Sequence, residues 1–270
     1  MATVATLSTG DIVRGKLHAA RTLGMMTRHL RNWRDVWSAY RSSRTLPTLE
    51  FRSGFVLHHR PQDDPIMLMH EVFGGRHYRR HVPGRADGAI VDIGANIGMV
   101  SLDWATRSPG VVLHAYEPNP DTAGTLRRNV HDSGCDARVF VHQEAVGAGF
   151  GQTPMWIGGP SVLSSTHSAS QAGTREVMVS MVDLDRVCDR VDGRVFLLKI
   201  DAEGAEADIL EAASARTLER VVHIALEYHD PLTPGALQRC RACLTGAGFE
   251  LIVRPAPDEP RQGMLYAIRR

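Results

Sequence analysis

Three rhythms of apolar and polar positions follow one another along the chain. From Asp11 to Tyr40 the apolar residues Val13, Leu17, Ala20, Leu23, Leu30, Trp33, Trp37 and Tyr40 recur every three or four positions, the spacing of one helix face. Gly24 weakens that helix or divides it in two. Residues 48–60 instead alternate and turn at Ser53-Gly54, which predicts a hairpin. From Ala89 the short apolar runs AIVDIGA, VVLHAYEP, RVFVHQEAVG, VFLLKIDA and VVHIALEYH read as strands. Between them GMVSLDWATR, PDTAGTLRRNVHDSG and AEADILEAA carry helical spacing. Pro120 near the start and Gly134 at the end of the second helix suit those positions.

Strands alternating with helices imply an α/β fold with a mostly parallel, twisted, Rossmann-like sheet and helices on both faces. TPGALQRCRACLTGAGF supplies a further helix, and the runs ELIVRP and MLYAIRR then follow without a helix between them. One of these two strands should therefore run antiparallel. The pattern divides the chain into a helical extension (1–47), a hairpin and loop cap that walls a pocket (48–88) and the main domain (89–270). Residues 158–173, rich in Gly and Ser and without periodicity, read as a surface loop or a lid.

Apolar residues at 43% and charged residues at 23% are ordinary for a globular domain. A net charge of +1 gives no global field for nucleic acid or an acidic surface, so no nucleic-acid partner is expected. Charge is local: Arg14, Lys16, Arg21, Arg28, Arg31, Arg34, Arg41 and Arg44 face only Asp11 and Asp35 in the extension. That helix is expected to pack over the domain, or against a second copy in a homodimer, with its basic face in water; a lid or a membrane-surface helix is the alternative. Cys240 and Cys243 lack the second pair a zinc site needs, so the cysteines read as buried structural residues. No secretory signal or membrane span is apparent, and a cytoplasmic location is expected.

In an open parallel sheet, ligands bind at the carboxyl ends of the strands where the connections diverge. The first of these ends carries Asp92-Ile93-Gly94-Ala95-Asn96-Ile97-Gly98, and the second ends in Glu117, 25 positions after Asp92. An acid at about that distance grips ribose hydroxyls in nucleotide folds. A dinucleotide enzyme would normally place glycine where Asn96 stands, because the pyrophosphate approaches the backbone closely. S-adenosylmethionine has adenosine but no phosphate, with a carboxylate for loop amides and an ammonium for Asp92, so it suits the turn better than NAD. Later strands end in Lys199-Ile200-Asp201 and Glu227-Tyr228-His229, which crowds four ionisable groups onto neighbouring strand ends. Lys199 stands out because only it and Lys16 are lysines among many arginines. Upstream, the His70–His81 segment has no compact metal spacing; Glu71 and Tyr78 there are candidate pocket-wall residues.

VDIGANIG, YEPNP, the strand with EAVG, KIDAEGAE and LEYHD together resemble the FkbM family of S-adenosylmethionine-dependent methyltransferases over about Ala89 to Phe249. The resemblance implies a class I methyltransferase fold with Asp92, Gly94, Asn96 and Gly98 shaping the methionine site. It places Glu117 with its neighbours Pro118 and Asn119 at the ribose, Glu144 and Ala145 near adenine, and Asp201 at the reacting end; Ala95 belongs to the same glycine turn. Family members act on hydroxyls of sugars, polyketides and other specialised metabolites, with some on other acceptors; a small-molecule hydroxyl acceptor is the expectation here. His229 is the expected base, since an ordinary histidine titrates near working pH. Asp201 would orient the acceptor or the histidine, and Lys199 would steady developing negative charge. No metal is assigned; the alternative is a divalent cation on Asp201, Glu227 and His229. Two rival functions, a nicotinamide oxidoreductase and a nucleic-acid methyltransferase or RNA-binding module, are opposed by Asn96 and by the absence of base-methylation motifs, respectively.

Overall fold

Every residue from 9 to 75, 77 to 157 and 175 to 269 is described by the computed structural model, with side chains from residue 16 onward. The loop expected at 158–173 lies outside the described residues. Helix α1 (Thr9–His29) runs through Gly24 without a break. The interruption comes after it, where buried Leu30 bridges to Phe51. There the Asn32 side chain donates to the Thr48 carbonyl (2.8 Å) and accepts from the Glu50 amide (3.1 Å). Backbone committed to a neighbouring segment cannot continue the helical ladder, so the chain restarts as α2 (Trp33–Arg41). The buried face also differs from the expected stripe: Thr22, Met25, Met26 and Leu30 are covered, whereas Leu17 is 51% exposed. On α2, Val36 and Ala39 are buried and Trp33 and Trp37 pack on the same apolar cluster.

Strands β1 (Leu49–Glu50) and β2 (Val56–Leu57) form an antiparallel hairpin that turns with Gly54 at φ +110°. Next comes α3 (Pro65–Met69), whose first turn is capped by Asp64: its carboxylate accepts from the Ile66 and Met67 amides. It continues into a turn of π helix, His70–Gly75. Helix α1 braces that turn, with Thr22 Oγ1 2.9 Å from His70 Nε2 and His18 stacked on the His70 ring.

The main domain runs β3 (Ala89–Ile93), α4 (Met99–Arg107), β4 (Leu113–Tyr116), α5 (Pro120–Asp132), β5 (Val139–His142), β6 (Ala145–Val146), β7 (Gly151–Ile157), β8 (Arg175–Val182), α6 (Leu184–Asp189), β9 (Val195–Ile200), α7 (Glu206–Ala212), α8 (Ala215–Glu219), β10 (Val221–His229), α9 (Ala236–Gly246), β11 (Glu250–Pro255) and β12 (Gln262–Ile268). Seven strands pair in the order β11-β12-β10-β9-β3-β4-β5. From β5 to β10 they are parallel, and β12 is antiparallel to both its neighbours. The strands in the middle are buried on both faces because alternate side chains enter two separate cores. Ile90, Leu113 and Leu197 meet α4, α5 and the N-terminal helices, while Val91, Leu198 and Ile224 meet α7 and α9. Connections leave β3 and β9 toward opposite faces, which opens a crevice at their carboxyl ends.

A second sheet, β6-β8-β7, stands beside the first. Its signal in the sequence is the alternation of REVMVSMV, where Val177 and Val179 turn inward and Met178 and Ser180 outward. Among the described residues no helix is long and apolar enough to cross a membrane.

Candidate active site

The turn after β3 needs left-handed backbone at Gly94 (φ +73°), Asn96 (+50°) and Gly98 (+96°). At Gly94 a Cβ would lie 1.8 Å from the Asp201 carbonyl oxygen, so only glycine lets β3 and β9 end this close together. Asn96 tolerates its conformation by accepting the Ile97 amide on Oδ1 at 2.8 Å. Glu117, at the end of β4, accepts the Asn96 amide on one oxygen (3.0 Å) and the Asn119 amide on the other (2.9 Å). Burial raises its pKa to about 7 against the pull of those two amides.

A cavity of about 370 Å³ opens above these strand ends. Of the residues expected at the cofactor, Gly94, Ala95, Asn96, Glu117, Pro118, Glu144, Ala145 and Asp201 line it. Val146 and Met155 of the second sheet add apolar wall beside Glu144, whose carboxylate is paired with Arg190. Three expected residues stand behind the wall. Asp92 is fully buried, accepting from Ser101 Oγ at 2.6 Å and lying 3.2 Å from Lys199 Nζ, so its charge is spent inside the protein instead of facing a ligand ammonium. Gly98 opens α4 against Leu126, and Asn119 caps α5 by accepting the Asp121 amide.

The opposite end of the cavity is crowded with carboxyls. Lys199, almost fully buried, donates to the carbonyls of Ile93 and Gly94 and lies 3.6 Å from Asp201 Oδ2. Burial favours its neutral amine, but Asp92 and Asp201 outweigh this and raise its pKa. The Tyr78 hydroxyl lies 2.9 Å from Asp201 Oδ2 and 2.8 Å from Glu227 Oε2. A phenol has one proton to give, so satisfying both contacts requires a second proton held by the carboxyl pair. Burial and then the Asp201 charge push the Glu227 pKa to about 7, so near neutral pH it exchanges between the form that accepts the phenol proton and the form that holds one of its own. Glu71 and Glu203 are raised further, each to about 8, by burial and then by neighbouring carboxylates.

His229 differs from the neutral base that its ordinary titration predicts. Its Nδ1 lies 2.8 Å from Glu206 Oε1, and Nε2 lies 3.8 Å from Glu203 Oε2. Glu206 is fully buried and also accepts the Ala202 and Gly204 amides. Burial alone would lower the histidine's pKa; the bond to Glu206 and the charges of Glu206, Asp201 and Glu203 overcome it and hold it at about 10. The contact to Glu206 thus favours the imidazolium of His229 over the free imidazole expected of it as a base. Asp201, Glu227 and His229 nevertheless converge, with one ligand atom from each within 4.8 Å of the others. Sequence reasoning singled out neither Glu203 nor Glu206, although both lie in the KIDAEGAE stretch. It left Tyr78 and Glu71 as wall residues because nothing local shows that they meet Asp201 and Glu227.

Residues 92–251 match the methyltransferase FkbM domain. The chain is 28% identical to the 31-O-demethyl-FK506 methyltransferase FkbM of Streptomyces tacrolimicus, over 80% of this chain and 93% of that protein. It is 30% identical to Methyltransferase 1 of Beauveria bassiana, over 68% of this chain and 82% of the relative. The crystal structure of methyltransferase FkbM from Methylobacillus flagellatus superimposes with a TM-score of 0.51 at 17% identity, covering 96% of this chain and 60% of that one. At that identity the superposition speaks for the fold alone.

Proposed function

Because this chain belongs to the FkbM methyltransferase family, we propose that it transfers the methyl group of S-adenosylmethionine to a hydroxyl of a small specialised metabolite. The carrying observation is the cavity itself, which joins a ribose-type acid, Glu117, to a proton-accepting group, Glu227, across the glycine turn. Its volume falls in the range of ~300–1,000 Å³ usual for small-molecule sites. The fit to the cofactor rests on Glu117, whose cavity-facing carboxyl suits ribose hydroxyls, and on the crowded carboxyls, whose mutual repulsion a ligand with a net positive charge would relieve. The relative's name, a 31-O-demethyl-FK506 methyltransferase, supports an oxygen acceptor.

S-adenosylmethionine, when bound, supplies an electrophilic methyl on a sulfonium. The chain's own residues then have two tasks, alignment and the management of one proton. Asp201, held by Lys199 and Tyr78, receives the acceptor hydroxyl and points its oxygen toward the glycine turn. Glu227 would take the proton that the acceptor hydroxyl gives up. His229, anchored to Glu206, places its positive charge beside Glu203 at this end of the cavity. Lys199 ties the reacting end to the turn through the carbonyls of Ile93 and Gly94.

The test is titration of S-adenosylhomocysteine by calorimetry, followed by transfer of a labelled methyl group to hydroxylated acceptors. Saturable binding and label recovered as a methyl ether support the reading; no binding, or label recovered on nitrogen, sinks it. One observation favours a second reading, a divalent cation on Asp201, Glu227 and His229 Nε2. A ligating histidine commonly gives its other N–H to a carboxylate, as His229 does to Glu206. Electron paramagnetic resonance of added Mn²⁺ decides it: a bound signal lost in Asp201→Asn supports the cation, and the spectrum of the free ion rejects it.

A further inference from the structure

A second cavity, of about 540 Å³, lies between the N-terminal helix and the main domain. It takes no part in the chemistry above, yet its composition is not that of a packing defect. Arg28 and His29 reach it from α1, Phe73 from the π turn, Arg79 from the loop that follows, and Trp104 and Arg107 from α4. Three guanidiniums therefore face one space. The carboxylate placed among them is Asp103, buried and shared between Arg79 Nε at 3.3 Å and Arg107 Nε at 2.8 Å. Asp103 is shared by Arg79 and Arg107, whereas Arg28 has no carboxylate partner among the described residues, so its charge is left to the cavity.

Two further groups point to what would offset that charge. The indole Nε1 of Trp104 is buried and has no acceptor, although the residue is only 1% exposed. An indole N–H donates only, so a nearby anion would satisfy it. His29, stacked on Phe73 at 4.4 Å, is kept neutral, its pKa pulled to about 4 by burial and by Arg28, Arg79 and Arg107. A neutral imidazole offers one further N–H without adding charge. Guanidinium forks lining one cavity beside a neutral imidazole suit a tetrahedral oxyanion.

We infer that this cavity is a binding site for an oxyanion of the phosphate class, either inorganic phosphate or the phosphoryl group of a small organic molecule. Arg28 and Arg107 supply the charge, the Trp104 indole stands in the wall beside them, and the space beyond one phosphate is walled by Met25, Phe73 and Val82. The position gives the site a consequence for the first cavity. The π turn that contributes Phe73 and Gly74 here also carries Glu71 into the methyl-transfer site, so an anion held here braces that turn from behind.

The experiment follows the indole N–H resonances of the ¹⁵N-labelled full chain while phosphate, phenyl phosphate or acetate is added at constant ionic strength. The Trp104 signal is assigned by its loss in Trp104→Phe. Phosphate is expected to shift that signal saturably, and acetate to leave it in place. Tighter binding of phenyl phosphate than of phosphate assigns the apolar wall to an organic portion, and equal binding assigns the site to the free ion. Arg28→Ala, on an exposed helix position, should keep the fold and weaken binding by roughly tenfold or more. No movement of the Trp104 signal with either phosphate, or equal affinity in Arg28→Ala, overturns the inference.

Discussion

The two ends of the main cavity hold their carboxyl groups in opposite ways. Glu117 is fixed by two backbone amides from its own and the adjacent loop, so each oxygen has a partner before any ligand arrives. Burial raises Glu117 to about 7 against those bonds; at Glu203, Glu227 and Glu71, raised to about 7 or 8, neighbouring carboxylates add to the effect of burial. The first arrangement is a preformed grip. The second is a reservoir of exchangeable protons, poised near neutral pH by burial and mutual repulsion, and that is what a site must have to accept a proton and release it again.

The largest effect expected from breaking this division is at Glu227. Glu227→Gln keeps the shape and the contact to Tyr78 but removes the proton acceptor. With an acceptor identified by label transfer, turnover should fall by ~10²–10⁴. Binding of S-adenosylhomocysteine by calorimetry should hardly change. An equal loss in both quantities would mean that the two ends are not separate.

Glu117→Ala reverses the pattern. It should weaken cofactor binding by ~1–3 kcal/mol, the scale for hydrogen bonds to a charged group, while saturated turnover stays close to wild type. Unchanged affinity in the folded variant would remove Glu117 from the ribose role and leave it as a tie between the Asn96 and Asn119 loops.

The reservoir should also show in the stability of the ligand-free protein. Glu71 and Glu203 titrate near 8 when folded against an ordinary 4.5, and His229 near 10 against 6.5. All three bind protons more tightly in the folded state. Their contribution is therefore complete below the ordinary values and is lost as pH rises through the folded ones. The melting temperature should decline from about pH 5 toward pH 10, and Glu203→Gln should flatten the decline between pH 5 and 8. Each kcal/mol recovered reads as ~2–4 °C. A melting temperature that climbs across this range contradicts the crowding.

The smallest effect expected is that of Tyr78→Phe. The phenol lowers the Glu227 pKa by hydrogen bonding, so its loss should move the rising limb of the pH–rate profile to more alkaline pH. A limb that stays put would show that Glu227 is not the group titrating.

The same contrast explains what could be read before the fold was known. The grip is local: Gly94, Asn96 and Glu117 lie within one strand–helix–strand unit, and their spacing alone predicts a ribose site on a parallel sheet. Even there the place of Asp92 was not legible: its side chain is buried beneath the turn on Ser101 and Lys199, while Ile93 after it lines the cavity. The reservoir joins Glu71 and Tyr78 to strand ends more than a hundred residues later, and no periodicity encodes that meeting. His229 was legible as a residue of the site but not in its charge, which depends on Glu206, 23 residues earlier at the start of α7. The break between α1 and α2 was missed for a similar reason: Gly24 is a local weakness, whereas Leu30 and Asn32 respond to a hairpin that lies later in the chain.

The most direct test of the account is a crystal structure with S-adenosylhomocysteine bound. The account predicts ribose hydroxyls within hydrogen-bonding distance of Glu117, the sulfur directed toward Asp201, and the space beside Glu227 and Tyr78 left free for the acceptor. A nucleoside lodged instead among Glu71, Glu227 and His229, or bound outside this cavity, would contradict it.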